Sequence, residues 1–117
     1  MTQNNTNIQL TSTISEDNKL TLALKNIDMP QPAADEVVIR IEAAPLNPSD
    51  LGVLFSGADI STATESGTEQ NPIITADVPA HFMPSLKTRI GKATPIGNEG
   101  AGTVVADDPG LGVRRGY

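Results

Sequence analysis

The sequence has no cysteine and no tryptophan, and only one histidine, one tyrosine and two phenylalanines among its 117 residues. Without cysteine there is no disulfide, no thiol nucleophile and no cysteine-ligated zinc. This absence fits a reducing, cytoplasmic setting. His81 has no second histidine to share a metal with, so the sequence assigns no metal site. It also has no nucleophile and orienting partner nearby, and no catalytic residue is assigned. With aromatics at 3%, the core has to come from Val, Ile, Leu and Ala. Cations are scarce as well: 8 Lys and Arg face 14 Asp and Glu, a formal charge of −6. Such a chain is repelled by a phosphate backbone, which argues against nucleic acid as its main partner. Lys87, Arg89 and Lys92 are close in sequence and read as a solvated face. No apolar run approaches the roughly 20 residues needed to span a bilayer. The first seven residues are polar and uncharged, unlike a signal peptide, so no membrane partner is expected. The Asn4-Asn5-Thr6 sequon then reads as chance.

The length suits one domain, which would bury roughly 65% of the surface its unfolded chain exposes. Residues 1–7 read as a disordered tail and 107–117 as an irregular one. Between them, Ile8, Leu10 and Ile14 share one parity, Ser15 to Asn18 is turn chemistry, and Leu20, Leu22 and Leu24 alternate with polar neighbours. This pattern predicts a β-hairpin. Val37, Ile39, Ile41 and Ala43 alternate in the clearest strand. Asn47, Pro48 and Asp50 suit the cap, first position and first turn of a short helix. Leu51, Leu54 and Phe55 share its apolar face, and Gly57 is placed to close it. Residues 58–78, rich in Ser, Thr, Ala and Glu, read as a long surface loop. Phe82, Leu86 and Ile90 recur every four residues and predict a short helix, with Pro84 either in its first turn or breaking it. Thr103 to Val105 read as a strand approached through glycines.

The cluster Gly97–Gly102 invites a phosphate-loop reading. That loop needs a strand before it and a helix after it. Here a strand follows, so close backbone packing or a positive φ is the preferred reading for Gly97, Gly100 and Gly102. Asn47 offers an amide that both donates and accepts. It reads as a helix cap or a ligand-facing group, and the roles can coexist. Glu99, among small residues, is expected to be partly buried and structural. Asp107 and Asp108 are adjacent and would point apart in a strand, unlike a glycosidase pair. A hydrolase using Ser49 lacks a base with an orienting partner.

Three blocks in order carry a family resemblance: Asp35-Glu36-Val37-Val38-Ile39-Arg40-Ile41, then Leu46-Asn47-Pro48-Ser49-Asp50, then Gly97-Asn98-Glu99-Gly100-Ala101-Gly102-Thr103-Val104. Together they resemble the N-terminal, GroES-like catalytic domain of medium-chain dehydrogenases/reductases, nearest the quinone oxidoreductase branch. The resemblance covers residues 8–106, with an insertion at 58–92 that would shape a pocket rim. Zinc-dependent alcohol dehydrogenases of this superfamily have a cysteine in the middle block and a histidine in the last. Here Asn47 and Asn98 stand in those regions, so the resemblance points to zinc-independent members. It implies a mainly β fold, a GroES-like, partly open β-barrel with two short helices. It implies a small-molecule quinone or conjugated carbonyl as substrate, NADPH or NADH as cofactor of the full-length parent, and a homodimeric parent. Asn47, Asp50 and Leu51 would face substrate or cofactor. Glu99, Gly97, Gly100 and Gly102 would be structural near the site. Where some members carry a tyrosine after the Asp, this chain has Leu51, Gly52 and Val53, so no proton donor carries over. The family continues into a Rossmann domain with a glycine fingerprint. That domain is absent from these 117 residues, which reads as a truncation, a frameshift or a fragment, inactive on its own. The alternative expectation is a stand-alone GroES-like binding or scaffold domain.

Overall fold

A computed structural model describes residues 7–107. The expected tails at 1–6 and 108–117 lie outside the described residues. In chain order the elements are β1 (Asn7–Ile14), β2 (Lys19–Ile27), β3 (Val37–Ala43), α1 (Pro48–Phe55), β4 (Asp59–Gly67), β5 (Pro72–Asp77), a 3-10 helix (Ala80–Arg89), β6 (Thr94–Pro95) and β7 (Ala101–Asp107). The protein is mainly β with two short helices, as the sequence predicts, and its sheets are open rather than closed into a barrel.

The sequence reads as one domain over 8–106, whereas the contacts fall into two compact units. The larger holds Asn7–Ile27 and Asn47–Ile96. The smaller holds Asp28–Leu46 together with residues 97–107.

The larger unit is a five-stranded sheet in the order β4-β5-β2-β1-β6, every pair antiparallel. Its β1–β2 hairpin forms where the alternation predicts. The turn holds because Ser15 donates its N–H to Lys19 at 2.9 Å and Asn18 takes a left-handed φ of 62°, a conformation Asn tolerates. Register puts Ile14 opposite Leu20 and Leu20 opposite Ala76, all on one face. Ile14, Leu20, Leu22 and Val78 make the core. Leu54 and Phe55 of α1, and Met83, Leu86 and Ile90 around the 3-10 helix, pack against it. Leu51 does not join them and stays 47% exposed.

Two expectations for this unit are corrected. Residues 58–78 are not a loop but mostly the β4–β5 hairpin, paired from Asp59↔Asp77 to Gly67↔Pro72 with an irregularity before Thr64. Nearly all of β4 is exposed, so no apolar alternation marks it. The helix after Asn47 closes at Ser56, not at Gly57. Ser56 takes the left-handed cap at φ 48° and donates its N–H to Gly52 at 3.0 Å. Gly57 follows at φ 80°, where a side chain would press on the ring of Phe82.

The smaller unit is an antiparallel ribbon of β3 and β7, running from Val37↔Asp107 to Ala43↔Ala101. Register shifts leave Val105 and Glu42 as extra residues on their strands. Thr103 Oγ1 donates to Glu42 across the ribbon. Ile39 and Ile41 carry the predicted alternation yet remain about half exposed, at 45% and 57%. Two strands alone offer each other little apolar cover.

Candidate functional site

The residues singled out by the sequence fall into two groups, one in each unit. Asn47, Asp50 and Leu51 start α1 in the larger unit. Gly97, Glu99, Gly100 and Gly102 belong to the smaller.

At the start of α1, the extended backbone of Asn47 (φ −103°, ψ 151°) caps the helix and Pro48 takes the first helical position, where its missing N–H costs nothing. Asn47 donates its backbone N–H to Asp50 Oδ2 at 3.0 Å. Asp50 donates its own N–H to the Asn47 carbonyl at 2.9 Å. The exchange ties the turn to the helix and sets a carboxylate at the positive end of the peptide dipoles. Asp50 is only 4% exposed, and its Oδ1 is buried with no hydrogen-bond partner among the described residues. Asp50 is therefore a positioning group for Asn47. Leu51 is open to solvent, beside this turn.

The glycines act through close approach. A side chain at Gly102 would collide with the Arg40 carbonyl, and one at Gly100 would meet Ile41 Cδ1 at 3.0 Å. Gly97 has φ 106°, a region most side chains avoid. These glycines let β7 approach β3, and no helix follows them to form an anion cradle. Glu99 is exposed, not partly buried as its small neighbours suggested. His81 is exposed and lies against Phe82 with ring centroids 4.3 Å apart. Ser49 is exposed on the first turn of α1. Among the described residues no group of three His, Cys, Asp or Glu is placed to hold a metal ion.

Arg89 was missed. The sequence assigns it to a solvated face with Lys87 and Lys92. Instead its guanidinium reaches the C-terminal end of α1 and donates to the Ser56 hydroxyl, to the Val53 carbonyl at 3.4 Å and to Ser12. A cation there suits the negative end of the helix. Burial pushes its pKa below the ordinary arginine value. No local pattern fixes such a long-range partner.

Near α1, the same sheet face carries a cleft of about 300 Å³ with an entirely apolar lining. No helix among the described residues is long and apolar enough to cross a membrane. No protein-family model and no curated protein matches the sequence.

Proposed function

We propose that this chain is the N-terminal, substrate-side, GroES-like part of a zinc-independent, medium-chain NAD(P)H-dependent oxidoreductase. The parent enzyme reduces a quinone or conjugated carbonyl in the cytoplasm. What carries the reading is the Asn47–Asp50 turn, where a buried carboxylate holds the Asn47 backbone at 3.0 Å. That bond fixes the backbone from which the Asn47 side-chain amide projects, and an amide carried on fixed backbone can offer a donor to a carbonyl. Further support comes from the pairing of the first and last resemblance blocks, which lie in β3 and β7. The exposed Ile39 and Ile41 are the kind of surface a further domain would cover.

The dinucleotide does not fit the described residues. The glycine cluster is taken up by the β3–β7 approach, and the first turn of α1 already holds the Asp50 carboxylate, which repels phosphate. In this reading the cofactor belongs to another domain. The chain's own part is to orient the carbonyl through Asn47, with no proton donor among Leu51, Gly52 and Val53.

The test starts from the coding DNA beyond the codon for Val105, read in all three frames, followed by expression of the longest product. Quinone-dependent NADPH oxidation, undiminished by chelators and lowered by Asn47→Ala, is expected. A full gene product that binds quinone but never oxidises NADPH or NADH overturns the proposal in favour of a binding or scaffold domain.

A further inference from the structure

The β3–β7 ribbon has no strand hydrogen-bonded to either of its outer edges among the described residues. Such an edge is a row of backbone donors and acceptors that a further strand can take up. The two edges differ. On β7, Thr103, Val104 and Ala106 are partly covered, whereas Ile39 to Ala43 of β3 are exposed without a break. Glu42 is the extra residue of β3 and has no residue opposite it on β7. Its backbone groups therefore lie outside the β3–β7 ladder.

The β3 edge carries two opposite charges, two positions apart. Arg40 lies opposite Thr103, and Thr103 Oγ1 donates to Glu42, so both charges stand on one face of the ribbon. Arg40 has no acidic partner among the described residues. A cation and an anion spaced in this way complement the same pair read backwards, which is what an antiparallel copy presents. Like faces stay together only when the two-fold axis passes through a residue, because a slip of one position turns every side chain over. An axis through Ile39 sets Glu36 against Glu42, and axes through Arg40 or Glu42 set each of these against itself. An axis through Val38 sets Arg40 against Glu36. Glu36, however, precedes the strand, its carboxylate is taken by the Ala33 N–H at 2.8 Å, and Val37 and Val38 are partly covered. The axis through Ile41 sets each Arg40 against Glu42 of the other copy, and Ile41 beside its own counterpart.

We propose that a second copy of this chain adds to the β3 edge, antiparallel about Ile41. Two ribbons then become one four-stranded sheet in the order β7-β3-β3-β7. Two strands alone are marginal, and three or more with an apolar face gain stability together. The Arg40–Glu42 pairs choose the partner and the register more than they add affinity. The inference concerns the smaller unit alone and stands independently of the oxidoreductase reading.

Sedimentation equilibrium of the whole chain tests it, with far-UV circular dichroism as a check on folding. A monomer–dimer equilibrium is expected for the unsubstituted chain. Arg40→Glu and Glu42→Arg should each weaken it about tenfold, because each turns two attractive pairs into two repulsive ones. Mixing the two variants should recover the dimer, since the acidic edge of one then faces the basic edge of the other. Arg40→Glu combined with Glu42→Arg in one chain should recover it as well. Both recoveries require folded chains, so they separate lost pairing from lost fold. A monomeric unsubstituted chain, open-ended assembly, a dimer that survives Glu42→Arg, or failure of both recoveries would each overturn the proposal.

Discussion

Arg89 Nη2 donates to both the carbonyl and the hydroxyl of Ser12, at 3.4 and 3.3 Å, across 77 positions of sequence. Ser12 is fully buried and passes its own proton to the Leu54 carbonyl at 3.0 Å. The two residues thereby join the first strand, the end of α1 and the end of the 3-10 helix. Arg89→Met is expected to destabilise the chain by about 2–3 kcal/mol, since it strands acceptors at a buried helix end. Arg89→Lys should recover only part, because one ammonium cannot reproduce the planar fork. Urea unfolding followed by far-UV circular dichroism checks both, and a loss under about 0.5 kcal/mol would refute the role.

Asp50→Ala removes the acceptor for the Asn47 N–H and is expected to cost about 1 kcal/mol. Asp50→Asn keeps an oxygen at that position and should retain most of the stability. The comparison of unfolding midpoints separates capping from charge.

Stability should fall at alkaline pH through Lys19. Its pKa is raised above the ordinary 10.5, first by the hydrogen bond to Asp77 and then by that carboxylate's charge. A group whose folded pKa is raised stabilises fully below its unfolded value and loses that contribution as pH rises through the folded value. The affected window therefore lies above 10.5. Lys19→Met should flatten the decline of the thermal midpoint there and leave the curve at neutral pH nearly unchanged. The pair is half exposed, and its effect is small.

Gly102→Ala should open the ribbon selectively. The added carbon meets the Arg40 carbonyl, so β3 and β7 have to move apart. Hydrogen exchange is expected to quicken at the Val37–Ala43 and Ala101–Val105 amides. The β1–β2–β5 amides, in the other unit, should keep their protection.

The half-exposed Ile39 and Ile41 should drive self-association at high concentration. Sedimentation velocity is expected to show species above the monomer that Ile39→Thr with Ile41→Thr removes. A clean monomer for the unsubstituted chain would show that these two side chains do not drive association.

The parts legible in the sequence were those with a local physical signature. Leu20, Leu22 and Leu24 alternate because one face of β2 is buried, and Asn47, Pro48 and Asp50 mark a helix start by their own chemistry. The glycines at 100 and 102 announced close packing because nothing larger fits. β4 was invisible because Asp59–Gly67 is exposed on both sides and has no alternation to reveal. Its partner left a clue in the β-branched run Ile73-Ile74-Thr75 after Pro72, outweighed by the polar residues around it. Glu99 departs from its expected burial because small neighbours do not by themselves cover a side chain. The role of Arg89 depends on Ser12 and α1, which no window around residue 89 contains.

The interleaving of the two units bears on the order in which they can fold. The chain leaves the larger unit at Ile27, lays down β3, returns at Asn47 and leaves again at Ile96 before β7 begins. On a growing or refolding chain, β1 and β2 can meet at once, because only a short turn separates them. The ribbon must wait for its second strand, with residues 44–100 in between, and closing so long a flexible loop is entropically costly. If the nested unit forms first, most of that stretch is already structured when β3 and β7 meet. Substitutions at Leu20 or Ile14 should therefore slow the formation of a ribbon they do not belong to, whereas Gly102→Ala should leave the rate of the earlier step untouched.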